Sequence, residues 1–443
     1  MLKRQAVLAL FGLAAGMVWA ETRLLENATL IDGTGRAPVP NSAILIVDGR
    51  VKYAGPKAGL KTPPQRNLER IDLKGKYVMP GIINTHGHLG NTVGLVQDPK
   101  NFTKANLNKQ LATYARNGVT SVVSMGSDQP VVFDVRAEQR TGRPRTARIF
   151  TAYRGFTGKG GYPTTAMGMK GVPYEVSTKA EVEKYVNELA AQKVDLVKIW
   201  VDDHLGREQK ISMELCKAII ENAHKHNLKV AAHIFYLDDA KKLVSYGLDG
   251  LAHSVRDKPV DAELINMMKS KGAWQLAATI TREMSMFVYA HPEKLLADPL
   301  FLSNVDKDVV DTLRSPAYQK KAGSDKDFGK WPGFAETAKK NLKKLVDSGV
   351  KFSYGTDTGP PARFSGYFEH WEMELMAESG LTPMQIVESF SKHAANFLGV
   401  SKDLGTIEDG HWADLVVLRK NPLENIRNAR EIDAVYIAGN HIR

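Results

Sequence analysis

The sequence predicts an α/β fold: a (β/α)8 TIM-like barrel carrying a small discontinuous β-sandwich domain made from both termini. Two observations predict the barrel. From about residue 79 to 404, eight apolar runs of strand type recur: YVMPGIINTH, TSVVSM, RIFTAY, DLVKIW, KVAAHI, GLDGLAHS, AWQLAAT and KFSYGTD. Segments of helical period separate most of them, such as TKAEVEKYVNELAAQ and SMELCKAIIENAHKHN. Alternating units of this kind close into a parallel barrel whose reactive face is the C-terminal end of the strands. A third observation predicts the second domain. Residues 21–78 and 405–443 share a texture of short apolar runs and turns, AILIVDGRVKYAG in the first and ADLVVL and AVYIAG in the second.

Each part follows from local chemistry. Asp48-Gly49 reads as a hairpin turn, because both positions favour positive φ. A doubly wound open sheet is the alternative for the middle, but no glycine-rich phosphate fingerprint opens it. Between the seventh and eighth strands lies a long insertion, about 281–341, in a place where lids and substrate walls often form.

The 443 residues are 43% hydrophobic and 25% charged, which is ordinary for a globular chain with a large core. Residues 1–20, MLKRQAVLALFGLAAGMVWA, have a basic start, an apolar run and small residues before a cut after Ala20. They read as a secretory signal, which predicts a periplasmic or secreted protein. An uncleaved anchor is the alternative, but the run is short for a span, and no later segment is long and apolar enough to cross a bilayer. Cys216 is the single cysteine. It has no intrachain partner, excludes cysteine-cluster metal chemistry, and falls at an apolar helix position as a buried thiol. The net charge of +11 is spread along the chain without an arginine-rich run, so no nucleic-acid partner is expected. The oligomeric state is open, a homo-oligomer included.

The polar residues at the strand ends carry the chemistry. His86 and His88 stand two apart at the end of a strand, where side chains i and i+2 share a face. His224 and His226 have the same spacing on a helix, where they diverge, so that pair reads as surface. Lys198, His233, His253 and Asp357 each end a later strand. A lone strand histidine is usually a satisfied core residue. Six ligand-type residues at one mouth, from strands 1, 4, 5, 6 and 8, point instead to a metal centre.

These motifs, with LGTIEDGHWADLVVL near the C-terminus, resemble the amidohydrolase superfamily, in its imidazolonepropionase-like and prolidase-like branch, over nearly the whole mature chain. His411 stands where the last motif usually has a basic residue. The resemblance implies two divalent metal ions, for which zinc suits the nitrogen and oxygen donors. It implies that His86, His88 and Asp357 hold one ion, that His233 and His253 hold the other, and that Lys198 bridges them as a carbamate. A mononuclear site with Lys198 as a plain amine is the alternative. It further implies cleavage of an amide C–N bond through a metal-bridging hydroxide, with Asp357 moving the proton. A deaminase is less favoured, because HSVRDKP offers Arg256 and Asp257 where that branch has its proton shuttle.

Substrate contacts are expected from the loops after the strands. Tyr236, three residues past His233, is expected to polarise the carbonyl, as related peptidase-like members do. Tyr153, Arg154, Arg256 and Arg363 are the remaining candidates. Their arginines suggest a small carboxylate-bearing substrate: a dipeptide, an N-acyl amino acid or a cyclic amide. A lactonase, an organophosphate hydrolase, or a non-catalytic metal- or ligand-binding protein is the alternative.

Overall fold

A computed structural model describes residues 21–61 and 68–443; the expected signal at 1–20 lies outside them. Seven strands of the barrel are regular: Ile82–Gly87, Val119–Ser124, Arg148–Thr151, Val197–Trp200, Val230–His233, Gly250–Leu251 and Trp274–Gln275. Their neighbours pair in parallel within two runs. The runs meet where the Asp195 amide donates to Thr151 O at 2.9 Å. The eighth strand, near 351–358, pairs through single bridges, Phe352 with Gln275 and Thr358 with Gly87. Those bridges close the ring. The third strand breaks at Tyr153, whose φ is +53°, and resumes as Phe156–Gly158.

The helices form where the period placed them. Lys179–Ala191 starts at Thr178, whose side chain caps the Glu181 amide while Glu181 reaches back, a reciprocal capping box. Met213–Lys225 is capped by Ser212 and buries Cys216, whose thiol pKa burial pushes up to about 12. The histidines of this segment part company. His224 meets Asp249 at 2.8 Å and His226 meets Asn187 at 2.7 Å, so they share nothing.

Strands from both termini lie in one hydrogen-bonded sheet. It contains Thr22–Leu30, Val39–Val47, Arg50–Pro56, Leu68–Asp72, Tyr77–Pro80, Leu415–Leu418, Ile432–Ile437 and Asn440–His441. Leu25, Ile44, Val78, Leu415, Val417 and Tyr436 share one buried cluster, so strands from both termini pack into a common core. Asp48 and Gly49 both have positive φ, and a Cβ on Gly49 would lie 2.2 Å from Ala438 O. Glycine is therefore required there twice over.

The run YVMPGIINTH splits. Tyr77–Pro80 pairs with Leu415–Leu418 in the terminal sheet, whereas Ile82–Gly87 is the first barrel strand. The passage between the two falls at Gly81, slightly later than position 79. The ADLVVL motif secures this junction. Asp414 accepts two 3.0 Å bonds from Arg148 of the third barrel strand, and its carbonyl accepts from the Gly81 amide at 2.9 Å.

The insertion is helical: Ile280–Val288, Glu293–Leu296, Pro299–Asn304, Lys307–Arg314 and Pro316–Ala322. Its expected end at 341 is late, because Trp331–Asp347 is one helix of 17 residues, in the place of the seventh barrel helix. No helix among the described residues is long and apolar enough to cross a membrane.

Candidate metal centre and active site

Four buried or nearly buried histidines meet at the C-terminal mouth, and each is held from outside by one ring nitrogen. His86 Nδ1 lies 2.9 Å from Ala252 O, and His88 Nδ1 lies 2.9 Å from Ser127 Oγ. His233 Nε2 lies 2.6 Å from Asp202 Oδ2, and His253 Nδ1 lies 2.7 Å from Thr279 Oγ1. The opposite nitrogen of each ring is thereby left for another partner. Such outer bonds orient imidazoles for a metal.

What the rings surround is equally specific. His88 Nε2 is 3.0 Å and His86 Nε2 3.5 Å from Asp357 Oδ1. Lys198 Nζ is 3.4 Å from His86 Nε2. The His233 and His253 rings are 4.1 Å apart, centre to centre. The structure thus brings His86, His88, Lys198, His233, His253 and Asp357 into one cluster. Within it, ligand atoms of His86, His253 and Asp357 all lie within 4.8 Å of one another. His253 Nε2 is buried and has no hydrogen-bond partner. A buried, unpaired nitrogen among nitrogen and oxygen donors fits a divalent ion.

Protonation states agree with ligand duty. Burial lowers the pKa of all four histidines, His233 to about 3, so each is a neutral imidazole at pH 7. Burial also lowers Lys198 to about 7, although Asp357 opposes it. Burial pushes Asp357 upward. The Arg363 guanidinium, with His86 and His88, outweighs that and holds the carboxyl well below the usual range. Arg363 Nη1 donates to Asp357 Oδ2 at 2.5 Å, with Arg282 Nε 3.4 Å from the same oxygen.

Two backbone features set Asp357. Its own φ is +58°. Gly359 follows at φ +112°, and a Cβ there would lie 1.6 Å from His88 O. Only glycine lets the eighth strand come this close to the first, where the His88 amide donates to Thr358 O at 2.7 Å.

A narrow cleft opens beside the cluster, lined by His88, Tyr162, Met167, Trp200, His233, Asp357 and Arg363 among others. Of the expected substrate contacts, Arg363 reaches the cavity and four do not. Arg154 grips the backbone of the following loop, its guanidinium bonding Val172 O at 2.5 Å and Gly171 O at 2.9 Å. Tyr153 packs its ring on Phe133 at 4.8 Å. Arg256 is 1% exposed, bonds Ile234 O and Ser254 O, and lies 3.0 Å from Glu283. Tyr236 donates its hydroxyl to Asp203 Oδ1 at 2.9 Å. Arg154, Arg256 and Tyr236 thus take polar partners outside the cavity lining, and Tyr153 packs on an aromatic ring.

Sequence reasoning missed Asp202, Tyr162 and Arg282. The string WVDDH, directly after Lys198, is a signal that could have flagged Asp202. Arg282 begins the insertion, whose first helix is docked by Glu372 accepting from the Ile280 and Thr281 amides. No periodicity marks it.

A family model for the amidohydrolase family matches residues 77–442. The chain belongs to the amidohydrolase family. It is therefore a hydrolase acting on C–N bonds, in a family that uses divalent metal and acts on small molecules. Relatives span most of its length. It is 23% identical to an ochratoxinase of Aspergillus niger over 94% of this chain and 85% of that one. It is also 23% identical to an imidazolonepropionase of Legionella pneumophila over 90% and 93%. Among solved structures, a Xaa-Pro dipeptidase with bound methionine superposes with a TM-score of 0.74 at 21% identity, covering 95% of this amidohydrolase and 99% of the other chain. At that identity the likeness shows the shared fold.

Proposed function

We propose that this amidohydrolase cleaves the amide C–N bond of a dipeptide, N-acyl amino acid or cyclic amide carrying a carboxylate, at a centre of two divalent ions, zinc being the metal its donors suit, outside the cytoplasm. One observation carries the reading: four imidazoles each have one nitrogen held from outside, around Asp357 and Lys198. In it, His86, His88 and Asp357 would hold one ion and His233 and His253 the other. Lys198 would serve both as a carbamate, since an amine with a pKa near 7 is neutral often enough to combine with carbon dioxide. Export is supported by the signal-like pattern of residues 1–20.

Ions bound there would acidify water and polarise the scissile carbonyl. The chain's own residues do the rest. Ionised Asp357 takes the proton of the attacking water and returns it to the leaving nitrogen. Arg363, which lines the cavity, is placed to meet the substrate carboxylate. Asp202 holds His233 through Nε2, which leaves Nδ1 as that ring's ligand atom.

Zinc-loaded protein should hydrolyse at least one class in a panel of dipeptides, N-acyl amino acids and cyclic amides. Chelation should abolish turnover, and zinc should restore it. Turnover of lactones or organophosphates alone would move the activity to another bond. A fully loaded protein that turns over nothing would be a binding protein.

A further inference from the structure

We infer that Tyr162, and not Tyr236, is the tyrosine that donates a hydrogen bond to the substrate's scissile carbonyl oxygen as negative charge builds on it. The inference rests on the amide-hydrolase reading and assigns that site a further catalytic residue. Tyr236 is spent: its hydroxyl already donates to Asp203, and it does not line the cavity. Tyr162 does line it. Its ring lies 5.1 Å from that of His233 and the residue is 8% exposed, so it stands beside the histidine cluster.

Several other donors around the cavity are engaged. Asn91 Nδ2 bonds Ser127 O, Gln97 Nε2 bonds Met167 O, and Ser127 Oγ meets His88. The Tyr162 hydroxyl makes no hydrogen bond to another described residue. A hydroxyl without a protein partner is left free to donate to a ligand. A phenol keeps its proton at neutral pH and can act as a donor.

The surrounding loop is built to hold it. Thr157 Oγ1 donates to Tyr162 O at 2.6 Å, and the Gly161 amide donates to Gly158 O at 2.9 Å. Arg154 clasps the far end of the same loop at Gly171 and Val172. Its part in the site is to position the segment that carries Tyr162. A fixed donor aimed at developing charge needs no reorganisation during the reaction, and its loss costs on the order of 10²-fold in rate.

The test compares Y162F and Y236F, each zinc-loaded, on the best panel substrate, with metal content and melting temperature measured alongside. Y162F should lose on the order of 10²-fold in kcat with KM little changed. It should also bind a tetrahedral phosphonate analogue of that substrate more weakly by a similar factor, measured by calorimetry, at wild-type metal content and melting temperature. The loss in Y236F should be smaller. If the wild type is active and Y162F retains its kcat and its grip on the phosphonate, or if Y236F loses as much, the inference is overturned while the amidase reading stands. A zinc-loaded wild type that hydrolyses no amide overturns both.

Discussion

Asp357→Asn is expected to lower kcat by roughly 10²–10⁴-fold, the range for removing a positioned general base. The substitution is a clean one. Asp357 sits at φ +58°, a conformation that asparagine tolerates better than most residues. What changes is the chemistry of two oxygens. Oδ1 faces His86 and His88, and Oδ2 accepts from Arg363. An amide has one acceptor atom where the carboxylate has two. Turned either way, it presents an N–H₂ group to a donor or to a ligand position. It also removes the negative charge that takes the proton. Steady-state kinetics with parallel metal analysis checks this. Near-normal turnover at full metal content would show that Asp357 does not carry the proton.

Lys198→Met should separate stability from activity. Lys198 is fully buried on a strand, and burial lowers its pKa to about 7. Its hydrogen-bond contact among the described residues is a histidine nitrogen at 3.4 Å, a weak one for a buried amine. Replacing a poorly compensated buried polar group with an apolar side chain of similar length is often neutral or stabilising. The melting temperature of metal-free K198M should therefore equal or exceed that of the metal-free wild type. Activity should fall by at least about 10²-fold, the scale of losing one electrostatic group at a reaction centre. Bound metal should fall with it. Such opposition is what a residue kept for function at the expense of stability produces. Differential scanning calorimetry and metal analysis read both effects, and a K198M protein that is less stable yet fully active would reverse the assignment.

The parts of this molecule that were legible in the sequence are those with a short-range period. The eight strands, the capped helices and the Asp48-Gly49 turn are each written in a few adjacent residues. The backbone also explains why one H-x-H pair joins a cluster and the other does not. His86 and His88 leave the end of a strand together, whereas His224 and His226 end a helix and take Asp249 and Asn187 separately. Long-range pairing is what stayed hidden. Arg256 and Arg154 look like substrate clamps in the sequence. Only the fold reveals Glu283 beside the first and three loop carbonyls around the second. Tyr162 was missed because it lies eleven residues beyond the strand Arg148–Thr151, in a loop without regular period. The broken third strand, with its turn at Tyr153, carries that loop back over the mouth.

The central claim is that this mouth is a two-metal centre. Its most direct test is the zinc content of the metal-stripped protein after titration to saturation and removal of free ion, measured by mass spectrometry of the element. The account predicts two ions per chain in the wild type, and fewer than two when His253, whose Nε2 is buried without a partner, is replaced by alanine. A wild type that saturates at fewer than two ions per chain, or a His253→Ala protein that holds as much as the wild type, would contradict it.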